Sequence, residues 1–529
     1  MPETVARTKR MLLVALACLA VAERAPAQST TPEALRAKLR EYRSAHDVAI
    51  VRELSGFLAI PNLATDKANI RRNAEYLMGM MTARGIAPRL LESPSGGPPA
   101  VYGELSAPGA TRTIVFYAHY DGQPVDTTQW ITAPWQPVLR DKAADAGGQI
   151  IPIPSAAGSI QGEWRMYARS ASDDKSPALA MLVAIDALKA ARVPLSVNLK
   201  FFFEGEEEAG SGHLRELLEK NAELLKADAW LFGDGPVHQS RRQQIVFGVR
   251  GVTGVEITAY GPSHGLHSGH YGNWAPNPIT LLANFIASMR NDDGRILIKN
   301  FYDDVAPITA AERRAIADIP AIDSAMRVEV QLGATEAKNA ALVERIMQPA
   351  LNLRGIRGGG VGATASNTIP TEATASIDFR LVPRQTPQHI KQLVEAHARA
   401  QGYFVMDHTP TQAERMAHAR ILKVTWESGY PATRVSMDSP LSRAVIRATQ
   451  DALGTSIVAL PTLGGSLPMH AFEEVLHAPL IVLPIVNHDN NQHSSNENLR
   501  MQNLFDGIDV YAGVLARLGS YWKTPATVP

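Results

Sequence analysis

FFFEGEEEAGS, residues 201–211, runs three phenylalanines straight into four carboxylates within five positions. An apolar run of this kind reads as a strand entering a core, and its neighbours alternate with it. Upstream lie the apolar strand TIVFYAHYD and the helix PALAMLVAIDALKAA; downstream come the helix HLRELLEKNAELL and the strand DAWLFGDG. Alternating helices and apolar strands predict an α/β layered domain with a largely buried sheet. Glu204, Glu206, Glu207 and Glu208 then stand at the end of a buried strand. Like charges there are unfavourable unless they spill onto the surface or meet something positive.

Further out, Thr31 to about Gly85 is helical in pattern, and PRLLES and AVYGEL read as short strands. Residues 127–162, rich in Pro, Gly and Ala, read as excursion loops with a hairpin. The pattern changes near Gly248. GVRGVTGVEITAYGP alternates like a half-exposed strand, the helix NPITLLANFIASMR follows, and TEATASIDFRLVP precedes the helix PQHIKQLVEAHARAQ. This predicts an α+β module with helices on one sheet face. After about Met437 the α/β pattern resumes, so the simplest organisation is a domain of residues 28–247 and 436–529 interrupted by an inserted module, 248–435.

The chain has 529 residues, and its 52 Lys plus Arg balance 52 Asp plus Glu. Such balance removes the electrostatic case for nucleic acid or an anionic membrane surface as the main partner. At the N-terminus, Arg7, Lys9 and Arg10 precede MLLVALACLAVA and the small-residue site Ala25-Pro26-Ala27. This reads as a secretory signal cleaved before Gln28, with an apolar run too short to span a bilayer. Secreted or periplasmic location is expected, with no membrane span after cleavage. Cys18, the single cysteine, lies inside the run. Ala15 is a poor fit to a lipoprotein signal, so the mature chain is expected to lack cysteine, and with it disulfides and thiol catalysis.

The polar residues at strand ends form a set. His119 and Asp121 follow one strand, two apart and on the same side, so one can bind metal while the other orients the imidazole. Asp173 and Asp174 precede a helix, Asp234 ends a strand, and PIVNHDNNQHSSNEN supplies His488 and His493. Each alone reads equally as a cap, a turn or a core histidine. Jointly they gather where α/β sheets place ligands, and oxygen and imidazole donors without thiolate suit zinc, with manganese or cobalt as substitutes.

The ordered series HYD, ASDDK, EGEEEAGS, a strand-end GD and NQHSSNEN resembles metallopeptidase family 20. These are co-catalytic zinc exopeptidases that include carnosinases, glutamate carboxypeptidases, aminoacylases and succinyl-diaminopimelate desuccinylase. The resemblance runs from about residue 50 to 518. It implies a zinc-binding α/β domain interrupted by an α+β lid that mediates homodimerisation. It further implies that His119 and Asp234 hold one zinc and Glu208 and His493 the other, with Asp173 bridging. Asp121 would orient His119, and Glu207 would act as general base toward the zinc-bound water. Glu204 and Glu206 would be supporting residues, Glu206 simply solvated.

In the lid, GLHSGHYG resembles the segment whose histidine, here His267, stabilises the oxyanion in the partner subunit's site, with His264 and His270 as neighbours. Arg380 resembles the arginine that pairs with a substrate carboxylate, and Gly465 and Ser466 the loop that holds the substrate terminus. Departures from the family pattern are Ala168-Arg169-Ser170, where Gly-Arg-Gly is common, and Ser176 after DDK, where glycine is common. They put loop geometry and helix entry in question and leave every ligand in place. The long lid is more like the carnosinase and dipeptidase branch, so the expected activity is cleavage of a dipeptide or short peptide near a free carboxylate. An N-acyl-amino-acid deacylase is the alternative, since only the pocket differs. A non-catalytic peptide- or metal-binding protein would lack a ligand or the base, and none is missing.

Overall fold

The computed structural model describes residues 31–155 and 158–523. The expected signal segment and Cys18 lie outside the described residues. Among the described residues, no helix is long and apolar enough to cross a membrane.

The opening stretch sits at the heart of an eight-stranded mixed sheet. In spatial order its strands are Arg89–Leu91, Ala100–Leu105, Asn198–Glu204, Thr113–His119, Ala229–Phe232, Leu480–Val482, Gln244–Val246 and Val458–Leu460. The four central strands, from Asn198–Glu204 to Leu480–Val482, run parallel. Phe201 and Phe203 point to one face, against the helices Pro32–Leu58, Lys175–Ala191 and Met501–Tyr521. Phe202 points to the other, against Trp230 and Phe472. Both faces are covered, which is why these strands are continuously apolar and do not alternate.

Local signals set the helix ends. Thr31 accepts from the Ala34 N–H before Pro32, Ser439 from the Ser442 N–H before Pro440, and Gly454 closes the latter helix at φ +73°.

Residues 127–162 are more ordered than expected. Val138–Arg140 and Ile150–Ile151 form the hairpin, and Arg165–Tyr167 and Asn498–Arg500 extend it into a four-stranded sheet. Strands of two or three residues are too short to show a period. This small sheet brings residues 497–500 beside residues 165–173, which matters for the site.

A five-stranded sheet lies wholly within residues 251–426, in the order Ala350–Arg357, Glu372–Leu381, Gly251–Tyr260, Ile421–Trp426, Phe404–Met406. The helices Pro278–Met289 and Pro387–Ala400 pack against it through Leu282, Phe285, Ile390 and Val394. Gly251–Tyr260 is central, and only Glu256 in it is exposed, so the expected half-exposed strand is buried. At the base of this unit Gly248–Val249 pairs antiparallel with Thr433–Arg434. Three helices the periodicity did not separate, Ala310–Ala317, Asp323–Glu329 and Leu342–Ile346, border a cavity of about 1350 Å³ whose far wall includes His238, Leu463 and His488.

Candidate metal centre

His119, Glu208 and Asp234 stand at or just past strand ends of the large sheet, whereas Asp173 lies between the strand Arg165–Tyr167 and the helix Lys175–Ala191, and His493 on the loop before Asn498–Arg500. His119 ends its strand fully buried, with Nε2 2.9 Å from Asp173 Oδ1 and Nδ1 3.3 Å from Asp121 Oδ1. His493 Nε2 lies 3.1 Å from Asp173 Oδ2 and 3.3 Å from Glu208 Oε2. Two groups of potential ligand atoms result, each within 4.8 Å: His119, Asp173 and Asp234, and Asp173, Glu208 and His493. Asp173 is common to both. The structure therefore brings together all five residues expected to hold metal.

The donor chemistry of each group fits a divalent cation. Ligands bound at 2.0–2.2 Å in tetrahedral array stand roughly 3.3–3.6 Å apart, close to the 3.1 and 3.3 Å that separate His493 from Asp173 and Glu208. Electrostatics argues the same way. Burial pushes the Glu207 carboxyl well above the usual range, Glu208 up to about 8 and Asp234 up to about 6, and the charge of Asp173 adds to each. Burial works against charge on His119 as well, yet Asp121 and Asp173 on its two ring nitrogens hold its pKa well above the ordinary value. For Asp173 burial is likewise outweighed by His119 and His493, which hold it below the carboxylate range. Left to itself the cluster retains protons that bound dications would displace.

The four glutamates of the opening stretch have four different environments. Glu204 is buried and accepts from the Tyr117 hydroxyl at 2.8 Å, and burial raises it to about 7. Glu206 is not merely solvated: both its oxygens lie 2.8 Å from His213 Nδ1, and it accepts from the His213 N–H. Glu207 and Glu208 open a short 3₁₀ turn, Glu207–Ala209, whose first two N–H groups donate to Asp121 Oδ1 and Oδ2 at 3.1 and 3.0 Å. Asp121 thus touches His119 and also fixes the backbone carrying Glu207 and Glu208. Asp174 occupies the N-cap position of Lys175–Ala191 but makes no capping bond. Its Oδ2 instead accepts from the His119 N–H at 3.2 Å.

Other expected residues fall into two groups. Arg380 Nη1 donates to Ser466 Oγ at 2.9 Å, and Gly465 accepts from the Arg250 N–H, so these three cluster together. Burial pushes the Tyr430 phenol up to about 12, the charge of Glu207 adding to the rise and that of Arg380 opposing it. His267, by contrast, is exposed and joins neither cluster; its Nδ1 accepts from the Gly269 N–H and its ring lies against His270. His488 lines the large cavity rather than the metal cluster, and none of the five ligands lines that cavity.

Three residues near the cluster carried no signal of their own in the sequence. Gln123 Nε2 donates to Glu208 at 2.7 Å, Gln492 Nε2 to Asp173 at 3.2 Å, and Glu497 is buried beneath the Asp173 loop. Glu497 stands four residues after His493 in the quoted NQHSSNEN, and its proximity to a ligand was the one available cue.

The sequence matches the family described as Peptidase family M20/M25/M40 over residues 115–517. It is 27% identical over 430 residues to the Cys-Gly metallodipeptidase of Schizosaccharomyces pombe, covering 80% of this chain and 83% of the relative. It is 26% identical over 505 residues to the human Beta-Ala-His dipeptidase, covering 91% and 92%. Among solved structures, an M20 family metallo-carboxypeptidase from Sulfolobus solfataricus aligns with a TM-score of 0.71 and 28% identity, over 89% of this chain and 99% of that one. Human carnosine dipeptidase 1 aligns at 0.69 with 22% identity, over 92% and 99%, a likeness of fold. Because the family match begins before His119 and ends beyond His493, enclosing every residue of both ligand groups, the chain belongs to Peptidase family M20/M25/M40.

Proposed function

We propose that this hydrolase is a dinuclear metallodipeptidase that cleaves the peptide bond of dipeptides or short peptides bearing a free carboxylate. The observation that carries the reading is the pair of ligand groups joined through Asp173, with Glu207 adjacent to the ligand Glu208 and braced by Asp121. Dipeptidases among the relatives, matched over at least 80% of this chain, support the substrate class.

His119 and Asp234 would hold one ion, Glu208 and His493 the other, and Asp173 both; zinc fits the donors, as do manganese and cobalt. Bound there, the ions would polarise the scissile carbonyl and acidify the attacking water. Glu207 would take the proton from that water and pass it to the departing nitrogen, a transfer for which a carboxyl raised by burial is suited. Arg380, with Ser466 and Gly465, would receive the substrate carboxylate, for which a guanidinium fork is the matching shape.

In this reading residues 248–435 form an inserted lid, hinged where Gly248–Val249 pairs with Thr433–Arg434. The lid would make a homodimer in which His267 of each copy serves the other's site, and the chain would be exported after cleavage before Gln28.

The test is release of free amino acid from a panel of dipeptides and N-acyl amino acids by zinc- or manganese-loaded protein, beside Glu207→Gln. Turnover on dipeptides that falls at least about 1000-fold in the variant, with two ions still bound per chain, is the expected result. Turnover on N-acyl amino acids alone would transfer the reading to a deacylase. A Glu207→Gln enzyme that stays active would remove the base from this account.

A further inference from the structure

Glu497 is fully buried, and all its acceptor capacity is spent on the loop that carries Asp173. Its Oε1 accepts the N–H groups of Ser172 and Asp173, each at 2.9 Å, and its Oε2 accepts the Ser170 N–H at 2.9 Å and Arg169 Nη1 at 2.8 Å. A carboxylate has about four lone-pair sites, and here each meets one donor. The backbone carbonyl of Glu497 also accepts the Ala168 N–H at 3.2 Å.

The loop so held is not one the chain would adopt by default. Ser170 has φ +61°, in the left-handed region that favours glycine. Its side chain is engaged as well: Ser170 Oγ donates to the Asp121 carbonyl at 3.3 Å and accepts from Asn62 Nδ2 at 2.8 Å. Three residues further on, Asp173 turns its two oxygens to His119 and His493. Glu497 itself follows His493 by four residues, so one carboxylate ties the loop of the shared ligand to the loop of a second ligand.

We infer that Glu497 is a positioning residue for the metal centre: it sets the place of the bridging Asp173 relative to His493, and so the affinity and geometry of both ion sites. This rests on the metal-centre reading above. A residue one shell removed from a metal typically alters affinity by about 10- to 100-fold. Glutamine is the sharp probe, because it keeps one oxygen for Ser172 and Asp173 but turns an NH₂ toward two donors, the Ser170 N–H and Arg169. Arg169→Gln is milder, leaving the three backbone bonds to Glu497 intact.

The experiment uses the full chain as wild type, Glu497→Gln and Arg169→Gln. Zinc affinity is measured by competition with a chromophoric chelator, and the visible absorption of the cobalt-loaded protein is recorded with helix content checked by circular dichroism. The expected result is a folded Glu497→Gln protein that binds zinc about 10- to 100-fold more weakly with shifted cobalt bands, and a severalfold loss for Arg169→Gln. A purely structural role would lower the melting temperature and leave cobalt bands and zinc affinity of the folded protein as in wild type. That outcome overturns the inference. Should Glu497→Gln not fold, Arg169→Gln decides, and wild-type affinity there overturns it equally. Wild-type protein that takes up no zinc overturns the metal centre and this inference together, whereas equal binding by wild type and variant overturns this inference alone.

Discussion

Lys175 and Ser176 are neighbours in one motif, wholly buried, and opposite in what they contribute. Lys175 Nζ donates to the carbonyls of Phe57 and Ile60 at 2.9 and 3.0 Å and sits 4.6 Å from the centre of the Phe57 ring. It joins the start of one helix to the end of another, although burial pushes its pKa well down. Lys175→Met takes this donor from the Ile60 carbonyl and leaves the Phe57 carbonyl to the long bond from the Ile60 N–H at 3.5 Å, and urea unfolding is expected to show a loss of about 2 kcal/mol. Ser176 stands where glycine is common in the family, yet it lies inside a regular helix that any residue fits. Its Oγ is buried with no hydrogen-bond partner among the described residues. Ser176→Ala should therefore gain about 1 kcal/mol in the same measurement, from helix propensity and from removing an orphaned hydroxyl. The motif letters were legible in the sequence, but their mechanical roles were not. The partners of Lys175 lie more than a hundred residues away, and the departure that changes backbone conformation is Ser170, at φ +61°, rather than Ser176.

At the scale of elements, the long helices and the buried parallel strands were legible because both faces of the sheet demand apolar residues. Of the four-stranded sheet only the hairpin was, because its strands are two or three residues long and Asn498–Arg500 pairs with Arg165–Tyr167 across more than three hundred positions. The helix Met501–Tyr521, part of the resumed α/β pattern, shows what such a reading misses inside an element. Asp509 lies on its buried side with Oδ1 lacking a hydrogen-bond partner among the described residues, and burial raises its carboxyl from 3.8 to about 7 despite the charge of Arg43. The unfolded chain therefore releases this proton first. Below about pH 4 the group is protonated in both states and neutral to stability. As pH rises from there to about 7 it progressively destabilises the fold, by up to about 1.4 kcal/mol per pH unit, and above that the penalty is constant. Asp509→Asn should consequently be more stable than wild type at pH 8, with the gap closing as pH falls toward 4. Urea midpoints across that range would show it, and a gap independent of pH would mean that Asp509 is not held protonated.

At the scale of the whole molecule, one expected site residue stands apart from the other site residues of its own chain. The five ligands, Asp121 and Glu207 converge, and Arg380 meets Ser466, all through contacts that one polypeptide makes. His267 stays exposed on the segment Leu266–His267, apart from both clusters. If it acts on the oxyanion it does so in a second copy, as the proposed homodimer requires, and each active site is then built from two chains. This gives a test that no within-chain role can imitate. His267→Ala and Glu207→Gln are each expected to lower turnover severely as homodimers, one for want of the oxyanion donor and the other for want of the base. When the two are unfolded together and refolded at equal concentration, about half of the dimers should be mixed. In a mixed dimer the site of the His267→Ala chain keeps its own Glu207 and receives His267 from its neighbour, so one site in two is complete. Activity should therefore return to about a quarter of the wild-type value. No recovery, with mixed dimers demonstrated by differential tagging, would place His267 in the service of its own chain or outside the reaction.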